Sequence, residues 1–492
     1  MSIRAKVLAG LLGSTLLAGT ALAADTGKLS LSQAAKTGDR DAVRALLNGS
    51  AKEDVVKTEG TTALLAAAGR NDMEMVDLLL RAGVDPKGAN DYGATALYAA
   101  AGNTDPAIIT KLLAAGADPN AALFSGETPL MIAARQGNVP VVRALLEGGA
   151  DPNAQEKNGG QNALMWAIAE HHSKVTEELV RHKADVNARS KGGSTPLMFA
   201  ARGDLESARA LLKAGADPNA AIPDWGGTPL IIAATMGRTD VVELLLDNGA
   251  DPNLRDGNTW TPLHAAVRDS DYGSETATRA AAAATVKVLL AHGANPNVRI
   301  QQEKPLARTL DEIELQGATP VALAAEVNSL DAIKALVAGG ADPNIPTEKG
   351  TTPLMLAAGA GTDVQRRRSP EERALAVETA KFLVEHGADV NAVGQFGWTA
   401  LHSAAYQGLN DVIEYLASKG AKLDVKDQLG QTPLSISLSV LTKEAGAKRL
   451  QIPRRYQGDT AQLLLKLGAT PLNRSGVNVV LQRNGDLAAT QD

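Results

Sequence analysis

Apolar residues recur along this chain in short runs whose spacing predicts pairs of short α-helices. In the stretch 128–134, a threonine and a proline precede Leu-Met-Ile-Ala-Ala; threonine is a good N-cap, and proline fits the first helical position. Gly137 suits the left-handed end of that helix. The apolar residues of 141–146 then fall on one side of a second helix, and Gly149 ends it. The pattern therefore predicts a helix-turn-helix unit.

The unit recurs through most of the chain, and the threonine of the motif Thr-Pro/Ala-Leu-x-x-Ala marks each copy. Successive markers from 62 to 261 are 33 residues apart, except for one step of 34 where Asn162 replaces the threonine. A more divergent first copy is in register at Leu29, which gives twelve copies. The other markers are Thr62, Thr95, Thr128, Thr195, Thr228, Thr261, Thr319, Thr352, Thr399 and Thr432. Because a unit this small cannot bury its own apolar face, we expect each copy to stack on its neighbours.

Two further motifs lie at fixed places in the repeat, one in the turn after the second helix and one at the start of the first helix. They are Gly-Ala-Asp-Pro-Asn at 116–120, 215–219, 249–253 and 340–344, and Thr-Pro-Leu-His at 261–264. Together with the 33-residue period, these motifs resemble the ankyrin repeat over roughly residues 29–470. The resemblance implies an all-α repeat fold: an ankyrin solenoid of about 12 helix-turn-helix repeats with β-turn fingers. It also implies a role in binding another protein.

Residues 1–23 have the pattern of a secretory signal peptide. Arg4 and Lys6 precede an apolar run that extends to about Ala18, and Ala21-Leu22-Ala23 places small residues where a signal peptidase cleaves. The apolar run is short for a transmembrane helix of roughly 20 residues. We therefore expect cleavage near Ala23, a periplasmic or secreted protein of the exported bacterial type, and no membrane span after cleavage.

The remainder of the chain predicts an ankyrin-repeat solenoid at 24–470 and a flexible C-terminal tail at 471–492. The repeat spacing indicates four insertions, near 269–279, 298–316, 359–376 and 439–458. Three of them separate the two helices of a repeat and would leave from the same edge of the solenoid.

The insertions have more than one interpretation. Such loops are commonly tolerated because they are solvated and vary freely. Alternatively, they form a basic edge that binds an acidic partner or an anionic ligand, or they contact one another. The arginines of this basic insertion edge are Arg366, Arg367, Arg368, Arg454 and Arg455.

Composition and charge narrow the classes of function. A net charge of −6 disfavours nonspecific binding to nucleic-acid phosphates and to anionic membranes. The chain has no cysteine, which excludes disulfides and thiolate metal sites. His264 and His402 fill the fourth position of the repeat motif, a structural role in ankyrin repeats. Since no nucleophile-elbow, phosphate-loop or metalloprotease motif is present, we expect no enzyme activity, no cofactor and no nucleic-acid partner.

In the ankyrin family, the fingers and the exposed face of the first helices form a concave binding surface. The resemblance implies the same role for residues at the equivalent positions of this chain. Aromatic side chains at exposed positions are common binding anchors. The fingertip candidates are Tyr92, Phe124, Trp225 and Phe396. Trp260 and Trp398 lie just before a marker, where they either contact a partner or shield the turn.

The first-helix face carries the remaining candidates. Arg135, Arg202 and Tyr406 lie seven residues after their markers, where we expect them to be available to a partner. Trp166 and Phe199 lie four residues after theirs, and we expect them in the core between helices.

These features predict an extracytoplasmic protein–protein interaction scaffold that is monomeric and binds its partner through the fingers and the concave face. The alternative is a protective or stabilising accessory protein for an envelope or redox enzyme. The two differ in whether the activity or lifetime of the partner depends on this protein.

Overall fold

The structure, a computed structural model, describes residues 29–267, 279–301, 315–360, 369–394, 396–438, 441–442, 457–472 and 477–479. In these residues the chain forms twenty-four helices that follow one another as twelve pairs, which confirms the predicted helix-turn-helix repeats. The chain divides into two compact units between Leu123 and Phe124. Repeats 1–3 belong to the first unit and repeats 4–12 to the second.

The helices are numbered here in chain order. In the first unit they are α1 (Leu31–Thr37), α2 (Arg40–Leu47), α3 (Lys52–Gly69), α4 (Met73–Arg81), α5 (Ala96–Ala100) and α6 (Pro106–Ala114). In the second unit the first helices of the repeats are α7 (Pro129–Gln136), α9 (Ala163–Ala169), α11 (Pro196–Ala200), α13 (Pro229–Thr235), α15 (Pro262–Val267), α17 (Pro320–Glu326), α19 (Pro353–Ala357), α21 (Ala400–Gln407) and α23 (Pro433–Ser437). The second helices are α8 (Val139–Glu147), α10 (Ser173–Arg181), α12 (Leu205–Lys213), α14 (Thr239–Asp247), α16 (Arg279–Ala291), α18 (Leu330–Ala338), α20 (Pro370–Glu385), α22 (Asn410–Ser418) and α24 (Gly458–Lys466).

From repeat 3 onward, each marker residue directly precedes the first helix of its repeat, as the sequence predicts. Thr128 is the N-cap of α7, and its hydroxyl accepts a hydrogen bond from the Met131 N–H over 3.3 Å. The Asn162 side chain does the same for the Met165 N–H over 3.0 Å, which explains why asparagine substitutes for threonine in that copy. Gly137 ends α7 with φ +76, as predicted for the left-handed position.

The marker of the second copy was predicted wrongly. Thr62 is not an N-cap, because Lys52–Gly69 is a single helix of 18 residues that passes through it. The stretch before Thr62 lacks the Asp-Pro-Asn turn that ends a second helix in other copies, so the helix continues. In the first copy, which is in register at Leu29, the N-cap of α1 is Ser30, and its hydroxyl and the Gln33 side chain form a capping box.

Leucine and alanine fill the layers between neighbouring helices. In the second unit α7 packs on α9 and α8 packs on α10. Leu145, Leu164 and Leu179 in these helices are each 0% exposed. A buried leucine contributes about 1.5–3 kcal/mol, and because the contacts are with the next repeat, stability depends on neighbours.

A ladder of asparagines joins consecutive turns of the second unit. Asn219 is typical: its Oδ1 accepts from the Asp251 N–H over 2.8 Å, and its Nδ2 donates to the Gly249 carbonyl over 2.9 Å. Asn187, Asn253, Asn297, Asn344 and Asn391 make equivalent pairs of bonds to the following turn. The asparagine of the repeat motif therefore couples each repeat to the next.

The described parts of the insertions include regular structure. Within the insertion predicted at 359–376, residues from Pro370 onward form the first turns of α20, which Ser369 and Glu372 begin with a capping box. Leu441–Thr442 and Val477–Val479 pair as two short antiparallel strands, β1 and β2. The pairing adds a small β element to the predicted all-α fold and places three residues of the predicted flexible tail in a strand.

Candidate protein-binding surface

The predicted fingertip aromatics are exposed to solvent. The exposed fraction is 74% for Tyr92, 70% for Phe124, 42% for Trp225 and 48% for Phe396. Val393, in the same finger as Phe396, is 56% exposed; it is not aromatic and was not among the predicted fingertip residues. The Lys349 Nζ lies 5.7 Å from the centre of the Phe396 ring, so a cation partly covers this aromatic.

Hydrogen bonds between neighbouring fingers fix the backbone that carries these side chains. The Gly257 N–H donates to the Trp225 carbonyl over 2.7 Å, and the Gln428 N–H donates to the Phe396 carbonyl over 2.9 Å. Gly226, directly after Trp225, has φ +71, and a Cβ there would lie 2.8 Å from the Gly257 nitrogen. Only glycine combines that φ with so close an approach. The backbone of these fingertips is therefore hydrogen-bonded to the neighbouring finger.

Within the second unit, the fold does not bring the fingertip aromatics into one patch. Phe124, Trp225 and Phe396 belong to repeats 4, 7 and 11 of the second unit, and two or three repeats separate each from the next. Tyr92 lies in the first unit. Each of these fingertips is therefore a separate exposed aromatic position.

Trp398 is held within its own and the following repeat. Its Nε1 donates to Asp427 over 3.1 Å, and its ring stacks on His402 and meets Tyr406 edge-on, with centroids 6.1 and 5.7 Å apart. His402 is buried and bonds Thr399 Oγ1 over 2.9 Å. Burial lowers the pKa of His402. The contacts favour the turn-shielding interpretation of Trp398, with Tyr406 half-buried beside it.

Trp260 occupies the same position in repeat 8. It is half-buried, with its ring 6.2 Å from that of His264. His264 is fully buried, and its Nδ1 lies 2.8 Å from the Thr261 hydroxyl. Burial lowers the pKa of His264 to about 4, against the smaller opposing effect of nearby backbone groups of Ala318 and Val298. Both motif histidines are thus structural, as predicted.

Arg135 and Arg202 lie on the first-helix face, each over an aromatic ring. The Arg135 Cζ is 5.0 Å from the Trp166 ring centre, and the Arg202 Cζ is 5.8 Å from the Phe199 ring centre. Trp166 and Phe199 are half-buried. The prediction that they belong to the core was therefore wrong: each ring keeps part of its surface accessible. The sequence signal for both contacts is an arginine seven residues after a marker. For Trp166 this arginine lies in the preceding repeat, and for Phe199 it lies in the same repeat.

Comparison with protein families identifies these repeats. A family model of ankyrin repeats in three copies matches residues 31–122, 100–190, 130–222, 220–300, 278–366 and 373–450, and a model of the single ankyrin repeat matches residues 349–395. These matches cover well over half of the chain. The chain belongs to the ankyrin-repeat family. Ankyrin repeats bind protein partners and are generally not enzymes.

Individual ankyrin proteins share parts of the chain. Ankyrin repeat and SOCS box protein 16 of Homo sapiens is 29% identical over 184 residues, 32% of this chain and 38% of that protein. Putative ankyrin repeat protein L86 of Acanthamoeba polyphaga mimivirus is 37% identical over 87 residues, 18% of this chain and 15% of that protein. The chain thus spans less than two-fifths of the length of these relatives. The solved ankyrin repeat domain of Bcl-3 is 28% identical and covers 41% of this chain and 91% of its own, with a TM-score of 0.38.

The arginines of the predicted basic insertion edge lie outside the described residues, at 361–368 and 443–456. That edge stays a prediction. Within the part of the ankyrin chain that the structure describes, no three His, Cys, Asp or Glu side chains are grouped to hold a metal ion. No described helix has both the length and the apolar run needed to cross a bilayer.

Proposed function

We propose that this chain is an extracytoplasmic scaffold of the exported bacterial type that binds a protein partner through its fingers and its first-helix face. The observation that carries the proposal is the exposure of Phe124, Trp225 and Phe396, 70%, 42% and 48%, on fingers whose backbone is hydrogen-bonded to a neighbour. A large aromatic on a fixed backbone loses little conformational entropy on binding, which is what a binding anchor requires.

Capture of partners tests this proposal. The tagged chain and its Trp225→Ala/Phe396→Ala variant are used as bait against the extracytoplasmic fraction of the source cells. Leu465→Ala is the matched control, because Leu465 is 40% exposed but lies on the second helix of repeat 12. We expect the double variant to lose a protein that the wild type and the control both retain. Equal recovery by all three baits would contradict the finger contact.

The extracytoplasmic location is proposed on the pattern of residues 1–23 and has its own test. The chain is expressed in a Gram-negative host, the periplasmic fraction is isolated, and the N-terminus of the purified protein is sequenced. We expect it to begin at Ala24 or Asp25. Replacing Ala23 with arginine should retain the uncleaved form. A protein that stays in the cytoplasm with residues 1–23 attached would refute export.

The basic insertion edge is a second, separate proposal. Neutralising Arg366, Arg367 and Arg368 with glutamine should reduce capture of an acidic partner at low salt, where exposed charges are least screened. Unchanged capture at low salt would remove this edge from the proposal and leave the finger contact as it stands.

A further inference from the structure

The first helices of repeats 4–7 carry a row of apolar side chains at one equivalent position, four residues after each marker. In chain order the row is Ile132, Trp166, Phe199 and Ile232. The helices that carry them, α7, α9, α11 and α13, each contact the next along the row. Ile132 is 8% exposed, and the other three are half-buried. The row therefore offers a shallow apolar strip on the first-helix face.

Arg135 and Arg202 lie over the two aromatic rings of this strip, and we call the four side chains Arg135, Trp166, Phe199 and Arg202 the Arg–aromatic row. Among the described residues, neither guanidinium has a carboxylate within ion-pair distance. This includes Glu170, the acidic residue of the first-helix face in repeat 5, which is exposed and pairs with neither arginine. The ring contact orients both arginines and leaves their N–H groups available.

On the second helices of the same repeats, by contrast, most cations are paired with a carboxylate. Arg143 donates through Nε to Glu178 over 2.9 Å and through an Nη over 3.2 Å. Lys174 contacts Glu177 over 3.0 Å, and Arg209 lies 3.9 Å from Glu206. Arg135 and Arg202 on the first helices thus differ from these paired cations, in a chain whose net charge is −6.

The fingers of repeats 5 and 6 add two more cations. Lys157 and Lys191 follow each other at equivalent fingertip positions, and their carbon stems lie close to Gly126 and Gly160 of the preceding fingers. Both lysines are exposed. The Lys191 Nζ donates to the Lys157 carbonyl, so it retains its charge and further donors.

We propose that the Arg–aromatic row binds an acidic polypeptide segment that also carries aliphatic or aromatic side chains. This inference rests on the proposed protein-binding function and names the chemical class of the partner. A guanidinium fixed over a ring presents a planar fork that matches a carboxylate in two hydrogen bonds. The uncovered ring surface and the half-buried Ile232 supply the apolar contact. A single-stranded nucleic acid fits less well, because its bases need open ring faces for stacking and the arginines occupy them here.

Fluorescence anisotropy with defined peptides tests the inference on the purified full chain. The probe is a fluorescein-labelled peptide in which Glu and Asp alternate with Leu and Phe. The charge-reversed peptide has Lys and Arg in place of the acids, and a labelled oligothymidine represents nucleic acid. We expect the acidic peptide to bind at least about tenfold more tightly than either other probe at low salt, and to weaken as salt rises.

Charge reversal locates the contact. Arg135→Glu/Arg202→Glu should weaken the acidic peptide by about tenfold or more, while the matched control Lys174→Glu/Arg209→Glu, on the second helices of repeats 5 and 6, should leave its affinity unchanged. Circular dichroism melting confirms that both variants fold. Equal binding of both peptides, tighter binding of the oligothymidine, no effect of the first pair of substitutions, or no binding of the acidic peptide would overturn the inference. A partner that the finger variants lose but that binds independently of Arg135 and Arg202 would leave the proposed function intact.

Discussion

Replacing one asparagine of the turn ladder should weaken the coupling between two repeats more than it weakens either repeat. Asn219→Ala removes the bond from the Asp251 N–H, 2.8 Å long, and the bond to the Gly249 carbonyl, 2.9 Å long. A hydrogen bond contributes about 0.5–1.5 kcal/mol net. The two together are worth about 1–3 kcal/mol, and we expect about 2 kcal/mol because the turn is partly solvated.

The matched control is Asn248→Ala. The Asn248 Nδ2 donates to the Leu244 carbonyl over 2.8 Å, and this bond lies inside one repeat at the end of α14. Urea unfolding followed by circular dichroism should therefore show a larger loss of stability for Asn219→Ala than for the control, with a broader transition because repeats unfold less cooperatively when their interface weakens.

Hydrogen exchange gives the local readout. The Asp251 amide loses its acceptor in Asn219→Ala, so its protection should fall by about 30-fold, which corresponds to about 2 kcal/mol. The Asp217 amide, bonded to Asn187 Oδ1 over 2.9 Å, should be unchanged in the same sample. If both asparagine variants lose equal stability and the Asp251 amide keeps its protection, the ladder does not couple the repeats.

Three further predictions concern pH and packing. The pKa of His264 is lowered from 6.5 to about 4. Below pH 6.5 the imidazole of the unfolded chain therefore binds a proton that the folded chain does not bind. The free energy of unfolding should fall by up to about 3 kcal/mol between pH 6.5 and pH 4. Urea unfolding at several pH values should give a shallower slope for His264→Gln, and an identical slope would contradict this origin. The bond from Arg143 holds the pKa of Glu178 below its ordinary 4.5. This carboxylate therefore contributes stability above pH 4.5, and the contribution is lost as the pH falls through the lowered pKa. Glu178→Gln should cost about 1–3 kcal/mol at neutral pH and should reduce the pH dependence of stability below pH 4.5. Gly226→Ala should destabilise the folded chain by about 1 kcal/mol more than Gly249→Ala in thermal or urea unfolding. Both glycines have positive φ, but only a Cβ at Gly226 would lie 2.8 Å from a neighbouring finger. Equal losses of stability would refute a role for that contact.

The repeat frame could be predicted because its signals are local. A threonine N-cap, a proline at the first helical position and a glycine at the helix end act within one turn, and they recur at a fixed period. The same logic explains the error at Thr62. The marker motif was present there, but the preceding turn motif was absent, and without that turn the helix runs from Lys52 to Gly69.

The start of α20 could have been found in the sequence. Ser369-Pro370-Glu371-Glu372 contains the serine, the proline and the glutamate of a capping box. The widened spacing between markers predicts only an inserted loop. The residues themselves signal that the inserted stretch ends in helix.

The contacts that define the candidate surface could not be predicted, because they join residues far apart in the chain. Arg135 reaches Trp166 in the next repeat, and Asn219 reaches a turn 30 residues later. The position of Trp166 four residues after the marker fits a core residue equally well. Only the packing of α7 against α9 shows that its ring is half-buried under a guanidinium.

Site-specific photo-cross-linking in the source cells tests the central claim, that the fingers of the second unit contact a protein partner. A photoreactive phenylalanine derivative is placed at Phe124, Trp225 or Phe396, and at Leu465 as the control, exposed to 40% on a second helix. We expect the finger positions to form a cross-linked adduct with a protein that Leu465 does not reach. Absence of adducts at all three fingers, or adducts of equal yield at Leu465, would contradict the account.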